Sequence, residues 1–229
     1  MKLPLTKLQI AVFIAILFHV SGAIGMLFTD YKDWFIQNTA LNLMIMLVLL
    51  FWMQPQKNLS FYLFFSIAFL VGMATEMIGV NTGKLFGHYK YGTVMGPKLN
   101  GVPFLIGVNW FVVVFCSGVI VTKFNSWVEE KYLLAGVVIK PWIQQVSFVV
   151  DAALLTTFFD FILEPVAIHL QFWQWQNNSI PLYNYLCWFV ISALLLLVFR
   201  QLQFSKHNHF AVHLFIIQFL FFVALQIFL

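Results

Sequence analysis

FLIGVNWFVVVFCSGVIVT, residues 104–122, is a run of nineteen residues with no charged side chain. At about 1.5 Å of rise per residue, a helix of this length comes close to the roughly 30 Å of hydrocarbon in a bilayer. The run does not alternate apolar with polar, so it does not read as a strand of a closed barrel, the other architecture that satisfies the backbone in lipid. Six further apolar runs lie outward from it, at about 8–28, 35–53, 60–79, 142–163, 183–199 and 210–229, and acids interrupt only 60–79 and 142–163. The expectation is an all-α polytopic membrane bundle of about seven transmembrane helices. It forms one integral membrane domain over residues 1–229, with a motif-bearing core at about 60–199. The first run follows Lys2 and Lys7 but is too long for a signal peptide and lacks a small-residue cleavage pattern, so it reads as a retained span.

Composition agrees. Of 229 residues 62% are hydrophobic and 9% charged, and the mean hydropathy is +0.91. A soluble domain carries about 25% charged residues, so most of this surface faces hydrocarbon. Cys116 and Cys187 sit inside apolar runs and read as small buried hydrophobes rather than a disulfide pair. The net charge of +4 suits loops that touch anionic membrane lipid, and no basic run is dense enough for nucleic acid.

Lys and Arg set the orientation. With the N-terminus inside, the cytoplasmic segments hold eight cations: Lys2, Lys7, Lys57, Lys123, Lys131, Lys140, Arg200 and Lys206. The other side holds four: Lys32, Lys84, Lys90 and Lys98. The expected location is the cell (inner) membrane, N-terminus cytoplasmic, with the loops after spans three and five outside.

Acids within spans are expensive and therefore informative. Glu76 falls in the last turn of span three and Asp160 in the last turn of span five, so both reach the same leaflet. Glu164 is four residues beyond Asp160 and shares its helical face, whereas Asp151 lies nine residues back, about half a turn round, and reads as structural. The plain alternative for Glu76 and Asp160 is hydrogen bonding between neighbouring helices. Asp30, Asp33, Glu129 and Glu130 read as solvated loop charges.

The loops after these acids are the densest polar and aromatic segments. Half of the 12 glycines fall in the first, between Gly79 and Gly101, beside His88, Tyr89 and Tyr91. The second carries Glu164, His169, Trp173 and Trp175. An interfacial aromatic belt accounts for many Trp and Tyr residues but not for the glycines. There is also an internal echo. Pro103 precedes Trp110 by seven residues, and Pro181 precedes Trp188 by seven. Spans three plus four and five plus six therefore read as two copies of one hairpin: acid, loop, Pro at the return, inward Trp.

Several chemistries fall away. Every Lys lies at a span end or in a loop, so a mid-span Schiff base is excluded. His209 and His213 are an i, i+4 pair near His207, but on a segment just entering the membrane they read as interfacial, and no metal site is expected. No phosphate cradle, nucleophile elbow or HExxH occurs. Acid and base chemistry on something apolar remains.

The stretch TEMIGVNTGKLFGHYKYGTVMGPKLNGVPFLIGVNW at 75–110, with DFILEP at 160–165 and the series Trp173, Trp175, Pro181, Asn184, Trp188, resembles the CruF-type carotenoid biosynthesis membrane proteins, the carotenoid 1,2-hydratases. The likeness covers most of spans three to six. It implies addition of water to the terminal C1=C2 double bond of an acyclic carotenoid end group of lycopene or γ-carotene type. The product is a tertiary alcohol, and no cofactor is implied. It also implies a carotenoid substrate drawn from the bilayer, association with other carotenoid enzymes, and a substrate site at His88, Tyr89, Tyr91, Asn109, Trp110, Glu164, Trp173, Trp175, Asn184 and Trp188.

The residues suit that reaction. Hydrating a trisubstituted alkene requires a shielded acid, a tertiary carbocation and capture by one water. Asp160 is expected as proton donor and Glu76 as the group that orients water or takes its proton, with the swap nearly as good. Aromatic faces of Tyr89, Tyr91, Trp110 and Trp188 stabilise the cation by about 1–2 kcal/mol each when desolvated. Two other readings stay open: a non-catalytic carotenoid-binding or assembly protein, and a proton-coupled transporter using the same acids as relays.

Overall fold

A computed structural model of the chain describes residues 5–229, and Lys2 of the orientation count lies outside them. Among the described residues eight α-helices run in order as α1 (Lys7–Phe28), α2 (Lys32–Gln37), α3 (Thr39–Met53), α4 (Leu59–Thr82), α5 (Phe104–Leu134), α6 (Pro141–His169), α7 (Leu182–Gln201) and α8 (His209–Phe228). Between α4 and α5 lie three short strands, β1 (Tyr89–Tyr91), β2 (Lys98–Leu99) and β3 (Val102–Pro103); β4 (Trp173–Trp175) lies between α6 and α7.

Helix starts carry their usual signals. Thr6 and Gln9 form a reciprocal capping box on α1, while Asn58 and Asn208 accept from Phe61 and Ala211 backbone N–H groups at the heads of α4 and α8. Pro103, Lys140-Pro141 and Pro181 open α5, α6 and α7, where a missing N–H costs nothing.

Among the described residues, α1, α4, α5, α6, α7 and α8 are long and apolar enough to cross a membrane. The expected second span divides at Asn38 into α2 and α3. α3 has only 15 residues, about 22 Å of helix. Asn38 leaves helical geometry (φ −87°, ψ 5°) while both its backbone N–H and its side-chain amide donate to the Trp34 carbonyl, at 3.1 and 2.8 Å.

Two helices outlast their expected ends. α4 continues past Gly79 to a left-handed cap at Gly83 (φ 66°), whose N–H reaches the Gly79 carbonyl at 2.8 Å. α6 continues through Pro165 to His169. Pro165 has no N–H to give the preceding turn, but the helix absorbs the loss. Glu76 and Asp160 therefore lie well inside their helices rather than in the last turn.

α5 is the central helix. It is buried along most of its length and packs against α3, α4, α6, α7 and α8. Phe13, Leu17, Leu70, Leu154, Leu194 and Leu220 point outward and are exposed, as lipid-facing side chains are. With apolar surroundings on both sides of a helix, close packing holds the bundle. Phe61, Phe64, Phe111, Phe115, Phe199 and Phe204 build one aromatic cluster, mostly edge-to-face or tilted. Each such pair contributes about 0.5–1.5 kcal/mol beyond area burial.

β1 pairs antiparallel with β4, matching Tyr89 to Trp175, Lys90 to Gln174 and Tyr91 to Trp173. This contact brings the loops after α4 and α6 to the same end of the bundle. Strand alternation turns the four aromatics inward and leaves Lys90 and Gln174 exposed.

Candidate active site

Three carboxyls meet beneath the β1–β4 ribbon: Glu76 of α4, and Asp160 and Glu164 from one face of α6. All are nearly fully buried. In an apolar interior a carboxyl must find donors, and each is supplied differently. Glu76 accepts from the Tyr89 hydroxyl, from the Tyr91 hydroxyl at 2.7 Å and from the Trp110 indole at 3.0 Å. Glu164 accepts from the Trp173 and Trp175 indoles, both at 2.9 Å, and from the Asn184 amide at 3.4 Å. Among the described residues Asp160 accepts only from that same Asn184 amide, at 3.1 Å to Oδ2.

Hydrogen bonds to a charged group contribute about 1.5–3 kcal/mol each, so three donors suit Glu76 as a carboxylate. Burial pushes the Tyr89 and Tyr91 phenols well above their ordinary range, and the neighbouring Glu76 charge adds to the effect. Both therefore stay protonated and keep donating. The Asp160 Oδ1, which accepts from no described residue, is free to carry a proton.

Trp110 and Trp188 stack face to face across the centre, 3.8 Å between centroids and 6° between planes. Phe86 leans on both. Its backbone is left-handed (φ 64°), a strained conformation for a bulky residue, held in part by its N–H on the Cys187 sulfur at 3.5 Å.

The three acids border a cavity of about 20 Å³, room enough for a single water. Beside it lies a far larger, mostly apolar cavity of about 380 Å³, within the range of small-molecule sites. Ile106, Asn109, Leu163 and Trp173 line both, so the acids sit behind one wall of a hydrocarbon-sized chamber.

The structure brings together Glu76, Tyr89, Tyr91, Asn109, Trp110, Asp160, Glu164, Trp173, Trp175, Asn184 and Trp188 around the small cavity. His88 is not among them. It precedes Tyr89 in the alternation and so faces outward, its ring against Gly83. Asp151 is exposed, away from the acids. Sequence reasoning missed Phe86, and it missed the contribution of α1, α3 and α8 to the large cavity. The period-two spelling of YKY and WQW was the available signal for the ribbon.

The hairpin echo has a structural form. In both units a helix glutamate accepts from an aromatic-x-aromatic strand, and a Pro then opens the helix that carries the stacked Trp. Glu76 corresponds to Glu164. Asp160, four residues before Glu164, corresponds to Gly72, over which the Trp110 ring lies too closely for any Cβ. Asp160 is thus the acid that breaks the likeness between the halves. Among the described residues no group of three His, Cys, Asp or Glu side chains is disposed to hold a metal ion.

Comparison with known proteins places the chain. It is 28% identical over 134 residues to the bisanhydrobacterioruberin hydratase of Haloarcula japonica, a match covering 57% of this chain and 41% of that relative. No solved structure matches it. A family model described as carotenoid biosynthesis protein matches residues 34–229, which takes in every buried acid and both halves of the ribbon. With most of its length matched, the chain belongs to the carotenoid biosynthesis protein family.

Proposed function

We propose that this protein is a carotenoid hydratase that adds water to the terminal C1=C2 double bond of an acyclic end group. The observation that carries the reading is the pairing of cavities, a one-water space bordered by three buried carboxyls against an apolar chamber. The name of the Haloarcula japonica relative supports the reaction class.

In this reading the substrate enters the chamber from the bilayer, and its terminal alkene passes the shared wall of Ile106, Asn109, Leu163 and Trp173 to reach the acids. The Asp160 carboxyl gives its proton to C2, the alkene electron pair forms the new C–H bond, and C1 becomes a tertiary cation. Indole faces next to the site stabilise that cation. The single water attacks C1 and releases a proton to Glu76, and proton return to Asp160 closes the cycle. Alkene plus water gives alcohol, with no electron transferred. The Asn184 amide nitrogen donates to both Asp160 and Glu164 and so aims the Asp160 carboxyl. Proton transfer by a positioned group contributes about 10²–10⁴ in rate.

Expression in a host that accumulates an acyclic carotenoid, grown in ¹⁸O-labelled water, tests this. The expected product is heavier by one water and carries the label. Oxygen taken from O2 instead would make the protein a hydroxylase, and an unchanged pigment would leave it a binder or transporter.

A further inference from the structure

The wall of the large cavity remote from the acids is not purely apolar. Besides Ser21 and Asn38, whose side chains bond the carbonyls of Phe18 and Trp34, four polar side chains line it, His19 from α1, Thr39 and Asn42 from α3, and Gln218 from α8. Their hydrogen bonding is incomplete. Among the described residues, Thr39 Oγ1 and Asn42 Oδ1 are buried with no partner. Gln218 is 93% buried and makes no hydrogen bond to a described residue. His19 is buried, with its Nδ1 on the Ala15 carbonyl at 2.7 Å. A carbonyl only accepts, so Nδ1 carries the proton and Nε2 is left as an acceptor.

An unmet polar group in an apolar chamber is costly, and four on one wall are too many to be incidental. Asn42 Oδ1 and His19 Nε2 can be satisfied only by a donor, whereas Thr39 and Gln218 can give or receive. A hydrocarbon satisfies none of them. A ketone would leave the two acceptors empty. A hydroxyl both donates and accepts.

We propose that His19, Thr39, Asn42 and Gln218 form a binding subsite for a hydroxyl group on the part of the isoprenoid chain that enters the cavity. The subsite selects an already hydroxylated polyene over the bare hydrocarbon. The inference rests on the hydratase reading for its substrate class, but its test does not require turnover.

The protein in lipid nanodiscs is titrated with two probes, an acyclic carotenoid hydrocarbon and the same chain bearing one tertiary alcohol, with binding followed by the polyene absorption shift. The alcohol is expected to bind at least about tenfold more tightly, since a site built to pair a hydroxyl rejects the analogue lacking it. Gln218→Leu and the near-isosteric Thr39→Val should each shrink that preference without lowering the melting temperature, because each removes an unmet polar group. Equal affinity of the two probes for the wild-type protein overturns the subsite and means that trapped water alone satisfies these groups. A preference that survives both substitutions overturns it too. Failure of the hydratase reading would appear separately, as unaltered pigment in the labelling experiment.

Discussion

Asp160 differs from the glutamates beside it by a count of donors. Glu76 and Glu164 each receive three hydrogen bonds, whereas Asp160 receives one, from an amide that it shares with Glu164. Asp160→Asn keeps the shape and can still meet its neighbours, but it has no acidic proton for an alkene. Hydration should fall by about 10²–10⁴ with protein levels unchanged. Glu76→Gln should be similarly damaging, and the double variant little worse than either alone, because groups acting as one unit do not add. Asp151→Asn, on an exposed face, should keep near wild-type turnover. Pigment analysis of membranes with matched protein content reads all four. Near-full turnover in both single site variants would reduce the acids to helix-packing groups.

The β1–β4 ribbon turns two separate loops into one roof over the acids. Its placement depends on close backbone approach just beyond Tyr91. Gly92 donates its N–H to the Phe172 carbonyl at 2.8 Å, and a Cβ on Gly92 would sit 2.0 Å from the Gln171 carbonyl oxygen. A backbone atom cannot step aside as a side-chain tip can, so the ribbon must part. Gly92→Ala should shift Tyr91 and Trp173 off their glutamates and cost about 10² in turnover, the typical loss for a misplacement of about 1 Å. Tryptophan fluorescence should change with it, as Trp173 and Trp175 leave Glu164. Unaltered turnover and emission would mean that the ribbon does not position the acids.

At the scale of the whole molecule, the two ends of the bundle differ in charge. The end opposite the site is stitched by side chains reaching across helices. Gln54 and Asn58 bond the backbone of Ser205 and Gln203, and Arg200 bonds the Gln144 carbonyl. Lys57, Lys140, Arg200 and Lys206 fall at that end, and we propose on the positive-inside rule that it faces the cytoplasm. Cys116 and Cys187 are buried, so the unaltered protein offers little background to an impermeant thiol reagent. A cysteine placed at exposed Thr93 should label from outside the cell, and one at exposed Val138 only after the membrane is opened. The opposite pattern would invert the molecule without altering the site chemistry.

Much of this was legible in the chain. Apolar runs such as 104–122 set the membrane bundle, because length and hydropathy are local properties. The cost of burying charge marked Glu76, Asp160 and Glu164. The repeated Pro and Trp spacing pointed to two hairpins whose tryptophans stack at the centre. Other features were decided only by packing. His88 and Tyr89 are neighbours in sequence, and only the strand pairing sends one out and the other in. The interruption at Asn38 is a departure of one residue's backbone from helical geometry, and the passage of α6 through Pro165 depends on how one lost hydrogen bond is absorbed. Donor counts on three similar carboxyls, and the unmet polar wall of His19, Thr39, Asn42 and Gln218, come from groups far apart in sequence. A sequence states which polar atoms exist, whereas their partners are fixed only when helices remote in the chain close around a common space.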